Sequence, residues 1–179
     1  TTLVRIIMSF LNPVSGSLEF YNENGQSEEA NAGIRKYISY VPQGNTLFSG
    51  TIRENIRMGN IEATEEEMLD ALKMASGYDF VMELENGLDT IIGERGHGLS
   101  EGQAQRIAIA RTLVRKAPFM ILDEATSSID TRTEAIVQKG MDNLMHGRTV
   151  FVIAHRLSTV KNSDVIMVLE HGRIIEKGS

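Results

Sequence analysis

Apolar residues recur along this chain with two periods, and the change from one to the other predicts its elements. Leu3, Ile6, Ile7, Phe10 and Leu11 share one face of a first helix, which Pro13 and Gly16 close. Ser17-Leu18-Glu19-Phe20-Tyr21 reads as a short strand and 22–31 as a polar, turn-rich loop. Tyr37-Ile38-Ser39-Tyr40-Val41 reads as a strand ending at Pro42-Gln43. From 51 to 116 the pattern turns helical. Thr51 with Glu54, Thr64 with Glu67 and Ser100 with Gln103 have capping-box spacing, in which hydroxyl and N3 side chain satisfy each other's free backbone N–H. Met68, Leu69, Leu72 and Ala75 form the apolar stripe of the helix after Thr64. The helix after Ser100 turns Ala104, Ile107, Ala108 and Val114 inward and leaves Arg106 and Arg115 to solvent or ligands.

The remainder reads strand, helix, strand. Phe119-Met120-Ile121-Leu122 is a buried strand, Thr131 with Glu134 opens a helix, and Thr149-Val150-Phe151-Val152-Ile153-Ala154 is a second buried strand. A third strand covers 165–169, and His171-Gly172 makes a tight hairpin turn into Arg173-Ile174-Ile175. Apolar strands separated by helices imply a mostly parallel sheet covered on both faces. The fold class is therefore α/β, with one core interrupted by a helical insertion. No internal repeat or low-complexity segment is present.

Composition narrows the picture. A chain of 179 residues makes one domain, or one domain with an inserted subdomain, and 41% hydrophobic residues suit a globular core. No apolar run approaches the length of a membrane span. A formal charge of −6 argues against a nucleic-acid surface, which needs clustered Lys and Arg. The absence of cysteine excludes disulfides and thiolate metal sites and fits a reducing compartment. No secretory signal is visible, and both ends read as cuts through a longer protein.

Leu99-Ser100-Glu101-Gly102-Gln103 starts a helix, where free N–H groups make an anion site and Gly102 lets a phosphate approach. The strand ending in Asp123-Glu124 delivers a carboxylate pair to the sheet's C-terminal edge, where α/β folds place their chemistry. Two readings of that pair stand side by side: a cap on the next helix, or metal-assisted hydrolysis of a phosphate. Alone, Gln43 reads as a loop residue, Asp130 as part of a helix-entry loop, and His155, after an apolar strand, as a core histidine.

Leu-Ser-Glu-Gly-Gln, then Gln105-Arg106, then Ile121-Leu122-Asp123-Glu124-Ala125, resembles the signature motif and Walker B strand of an ATP-binding cassette ATPase. The resemblance implies a P-loop NTPase (RecA-like) core at 1–45 and 117–179 and an α-helical signature subdomain at about 46–116. It implies ATP and Mg2+ as cofactors, with Asp123 holding the magnesium and Glu124 orienting and deprotonating the attacking water. Gln43 resembles the Q-loop glutamine, which contacts magnesium and relays nucleotide state to the transport domain. His155, in Ala154-His155-Arg156-Leu157-Ser158-Thr159, resembles the switch histidine, which bonds the γ-phosphate and helps hold Glu124. Ser127-Ser128-Ile129-Asp130 resembles the D-loop, which crosses to a second subunit. Thr1-Thr2-Leu3 resembles the tail of Gly-x-x-x-x-Gly-Lys-Thr-Thr-Leu, making Thr1 a magnesium ligand and Thr2 a phosphate contact.

Two further segments set the subclass. Leu47-Phe48-Ser49-Gly50-Thr51-Ile52-Arg53-Glu54-Asn55-Ile56 and Thr90-Ile91-Ile92-Gly93-Glu94-Arg95-Gly96 resemble exporters rather than importers or DNA-repair ATPases. The implied partners are a second nucleotide-binding domain, as homo- or heterodimer, and the coupling helices of a transmembrane domain, with no nucleic acid. Ser100, Gly102 and Gln103 would serve the partner's nucleotide, and the implied location is the cytoplasmic face of the cell membrane.

Departures from the family pattern bear on activity. Glu101 stands where glycine is commonest in the signature, and no phosphate-cradling loop with its lysine lies within the 179 residues. A helix N-terminus alone gives an anion about 0.3–1 kcal/mol, and up to about 2 when partly buried. Millimolar affinity requires about 4 kcal/mol. The polypeptide as written is therefore expected to bind ATP poorly and hydrolyse almost none. A non-catalytic partner module, or a soluble cassette ATPase, is the alternative reading.

Overall fold

A computed structural model describes residues 2–22, 24–42, 44, 46–123, 145, 147–154 and 163–178. The described core is a parallel sheet of β3 (Ile38–Val41), β6 (Phe119–Asp123) and β7 (Thr149–Ile153), with β6 in the middle. Ile38 stands opposite Phe119, and Phe119 opposite Thr149. Strand periodicity sorts the side chains of β6 onto two faces. Met120 and Leu122 join Val41, Val150 and Val152 in the larger apolar cluster, beneath the helices of the 50–116 region. Ile121 joins Ile38, Ile34, Val4, Ile7 and Met8 in a smaller cluster under the first helix, α1 (Thr2–Ile7). The apolar run of β6 is thus buried on both faces, as a parallel strand requires.

α1 differs from its sequence reading. It ends at Ile7, well before Pro13 and Gly16, because Ser9 turns left-handed at φ 53°. The Ser9 N–H then donates to Ile6 O and the Phe10 N–H to Arg5 O, a Schellman closure built without glycine. Arg35 secures it, donating Nε and Nη2 to the carbonyls of Met8 and Ser9 at 2.8 and 2.6 Å and lying 4.3 Å over the Phe10 ring. The buried face is accordingly Val4, Ile7 and Met8, while Leu3, Phe10 and Leu11 are about half exposed.

The 22–31 stretch is not all loop. β1 (Glu19–Tyr21) pairs antiparallel with β2 (Ser27–Glu29), and Asn22 Oδ1 accepts the N–H of Asn24 and of Gln26 to make the turn. β2 shows no apolar alternation because all its residues are exposed, so periodicity could not detect it. Asn31 caps the 3-10 turn Ala32–Tyr37 that leads into β3.

Between 50 and 116 the chain is mainly helical: α2 (Ile52–Arg57), α3 (Glu65–Met74), α4 (Tyr78–Met82) and α5 (Glu101–Val114). The three expected capping boxes are present at Thr51, Thr64 and Ser100, each with both reciprocal hydrogen bonds. The stripe is also as read, with Met68, Leu72 and Ala75 fully buried. One correction is a two-stranded antiparallel patch inside this region, β4 (Gly50–Thr51) on β5 (Ile91–Ile92). Asn55 is its hidden anchor: buried, it bonds Phe48 N, Phe48 O and Thr51 O and ties the chain before α2 onto that helix.

β7 corrects another expectation. It is only partly buried, with Phe151 exposed, since β6 is its sole strand neighbour among the described residues. The strand expected at 165–169 appears as β8 (Ile166–Glu170), paired antiparallel with β9 (Arg173–Gly178) in the expected hairpin. His171 and Gly172, both at positive φ (47° and 76°), form the two-residue type I′ turn that the right-handed twist of a hairpin favours. Among the described residues no helix is long and apolar enough to cross a membrane. The helix expected after Thr131 lies outside the described residues.

Candidate nucleotide site

α5 begins with Ser100 in extended geometry (φ −68°, ψ 158°), its Oγ accepting the Gln103 N–H at 3.2 Å while Gln103 Oε1 accepts the Ser100 N–H at 2.9 Å. This satisfies two of the four free N–H donors at the helix start and leaves the N–H groups of Glu101 and Gly102, and the Ser100 hydroxyl proton, for a ligand. Ser100 and Glu101 are exposed, Gly102 is buried and Gln103 is intermediate. The start of the helix is therefore open to an anion from outside.

Arg106 is not free for ligands, as the sequence suggested. Its Nε donates to Gly102 O at 3.2 Å, its Nη1 to Ser76 O at 3.0 Å, and its guanidinium lies 4.7 Å over the Phe80 ring. Ser76 is the left-handed cap of α3 (φ 55°), with its N–H on Lys73 O and the Gly77 N–H on Leu72 O. One arginine thus ties the first turn of α5 to the ends of α3 and α4. Arg115 is exposed and donates to Arg35 O at 2.8 Å.

Further along α5, Arg111 donates to Thr46 O and Thr46 Oγ1 at 3.1 and 2.7 Å. Burial pushes its pKa down, so the two Thr46 oxygens compensate a desolvated cation. α5 therefore connects two predicted site regions: its first turn carries 100–103, and its last turn grips the residue three positions beyond Gln43.

Asp123 closes β6. It is 6% exposed and accepts the Tyr40 hydroxyl at 3.1 Å through Oδ2. The Tyr40 phenol is pushed up to about 12, first by burial, then by the hydrogen bond to Asp123 and that residue's charge, with Arg5 of α1 acting the other way. Tyr40 and Asp123 share the sheet face that α1 covers. Thr2, exposed at the first turn of α1, lies on that side of the sheet as well. α5 packs on the opposite face.

Among the described residues, no hydrogen bond or ion pair joins Ser100, Gly102 or Gln103 to Asp123 or Thr2. Thr2 and Asp123 thus lie on the side of the sheet that α1 covers, and α5 with the signature segment packs on the other. Thr1, Gln43, Glu124, Asp130 and His155 lie outside the described residues. A cavity of about 270 Å³ between α1, β3, α2 and α5 takes in the Arg35 and Arg111 side chains and the unpaired Ser39 hydroxyl. None of the predicted site residues lines it.

The donor chemistry fits magnesium. No group of three or more His, Cys, Asp or Glu that could hold a metal exists among the described residues. Mg2+ instead favours one or two hard carboxylate oxygens completed by phosphate and water, and Asp123, the last residue of β6, is such a carboxylate. The contacts of Tyr40, Asn55, Arg106 and Arg111 are not legible in the sequence. A polar Asn inside an apolar helix face was the one local signal; the others depend on tertiary neighbours.

A parallel α/β core with a helix start open to anions and a carboxylate at a strand's C-terminal end is the arrangement of a phosphate-binding α/β protein. The family model described as ABC transporter matches residues 1–127. Over its full length the chain is 44% identical to the "Beta-(1-->2)glucan export ATP-binding/permease protein NdvA" of Bartonella bacilliformis. It is likewise 48% identical to the "ATP-dependent lipid A-core flippase" of Desulfotalea psychrophila. It spans 30% and 31% of those relatives' lengths. A solved structure of a bacterial Atm1-family ABC exporter with ATP bound superposes on 99% of this chain and 31% of its own, with a TM-score of 0.86 and 42% identity. The chain belongs to the ABC transporter family and has that family's nucleotide-binding-domain fold.

Proposed function

We propose that this chain is part of the ATP-binding and ATP-hydrolysing domain of an ABC exporter, working from the cytoplasmic face of a membrane, and that the 179 residues alone, which hold no phosphate-loop lysine, do not turn over ATP. The observation that carries the reading is the separation of half-sites. Thr2 and Asp123 share one side of the sheet, while the open first turn of α5 belongs to the other layer. Ser100, Gly102 and Gln103 then serve the nucleotide of a second nucleotide-binding domain, and the two domains close around ATP between them. In the P-loop half, Thr1 and Thr2 contact phosphate, and Thr1, Gln43 and Asp123 hold magnesium, which neutralises phosphate charge when bound. Glu124 orients and deprotonates the attacking water, His155 bonds the γ-phosphate, and Asp130 faces the partner domain.

The same reading gives α5 a relay role. Arg111 couples that helix to the segment after Gln43, and Arg106 couples its first turn to α3 and α4. A change in nucleotide contact at Ser100 is thereby carried to the region that meets the transmembrane domain's coupling helices. We infer a core at 1–45 and 117–179 and a helical subdomain at about 46–116 as the two parts of the domain. The test is Mg2+-dependent ATP hydrolysis by the intact exporter in lipid. Asp123→Asn and Ser100→Arg should each abolish it, the second without loss of ATP binding in the detached monomer. ATP hydrolysis indifferent to both substitutions contradicts the proposal.

A further inference from the structure

We propose that Tyr40 is a positioning residue for Asp123, its hydroxyl fixing the carboxylate so that the other oxygen is presented to nucleotide-bound magnesium. The inference rests on the reading of Asp123 as a metal-holding residue and adds a residue that no motif marks. Tyr40 stands opposite Ile121 in the parallel pair β3–β6, and Asp123 lies two positions further along the same face. An aromatic side chain reaches such a diagonal neighbour, and the hydroxyl does so at 3.1 Å on Oδ2.

Asp123 is nearly buried, so its charge needs a donor, and among the described residues Tyr40 supplies one. With Oδ2 held, rotation of the carboxylate is restricted, and Oδ1 makes no hydrogen bond to the described residues. Phenylalanine would fill the same half-buried strand position, so the hydroxyl is the part of Tyr40 that packing does not require. Partners of this kind orient metal-holding groups, and removing them typically costs about 10–100-fold in metal affinity or activity.

The experiment measures Mn2+ binding by electron paramagnetic resonance in the intact exporter with a non-hydrolysable ATP analogue. Wild type is compared with Tyr40→Phe, Asp123→Asn and the double variant, and each is also assayed for analogue binding in EDTA. Tyr40→Phe should weaken Mn2+ binding about tenfold, leave metal-free analogue binding unchanged, and have no further effect once Asp123 is Asn. A Tyr40→Phe protein with wild-type Mn2+ affinity overturns the proposal if Asp123→Asn weakens the metal. So does an equal loss from Tyr40→Phe in the Asp123→Asn background, because the tyrosine would then act by another route. An Asp123→Asn protein with undiminished Mn2+ binding overturns the underlying reading of Asp123 instead. A lower unfolding temperature for Tyr40→Phe with unchanged Mn2+ affinity assigns the hydroxyl a purely structural role and also overturns the proposal.

Discussion

Gly59 lies against the main-chain carbonyl of Arg111, so closely that a Cβ at position 59 would overlap that oxygen. The end of α2 therefore meets the last turn of α5 backbone to backbone, and the neighbour that would have to yield is itself helical main chain. Gly59→Ala should destabilise the fold by about 1–3 kcal/mol, the range for overpacking a close-packed contact. Met58→Ala, one residue earlier at an exposed position, should change stability by no more than about 0.5 kcal/mol. Urea unfolding of the two variants separates them.

The capping box at Ser100 makes a second prediction. Ser100→Ala removes the acceptor of the Gln103 N–H and should cost about 1 kcal/mol. Ser100→Thr, which keeps a hydroxyl, should lose only part of that. Thermal unfolding of both variants against wild type measures the difference.

Glu67 ties stability to pH. Its carboxylate meets Lys116 Nζ at 2.6 Å and accepts the Thr64 N–H, and these contacts hold its pKa below the ordinary 4.5. A depressed carboxyl pKa adds stability that is present above the unfolded value and is lost as pH falls through the folded one. Glu67→Gln keeps a side chain that can complete the cap but removes the charge. Wild type should therefore be the more stable above pH 4.5, with the gap closing as the solution is acidified below it. Melting curves from pH 7 to pH 3 follow that gap. A constant difference across the range would assign the effect to shape rather than charge.

The sequence made legible whatever depended on near neighbours. The three capping boxes, the buried stripe of α3 and the His171-Gly172 turn each follow from residues within a few positions of one another. The strand core at 119–122 was equally plain, because burial on both faces demands an unbroken apolar run. What escaped depends on distant partners. Arg35, from 26 and 27 residues away, secures the closure of α1 at Ser9. Arg106 is spent on Ser76, 30 residues earlier, and Tyr40 finds Asp123 across 83. β2 was missed for another reason, since a fully exposed strand carries no hydrophobic signal. In the candidate site the capping box at Ser100 is readable from the chain, while the contacts of Tyr40, Arg106 and Arg111 are not.

The claim at the centre is that Glu124 drives ATP hydrolysis in the intact exporter. Glu124→Gln keeps the size of the side chain and removes the proposed general base, a contribution of about 10²–10⁴-fold in rate. Single-turnover hydrolysis of Mg·ATP should fall by about that factor while equilibrium ATP binding is retained. Turnover that survives Glu124→Gln at the wild-type rate would contradict the account.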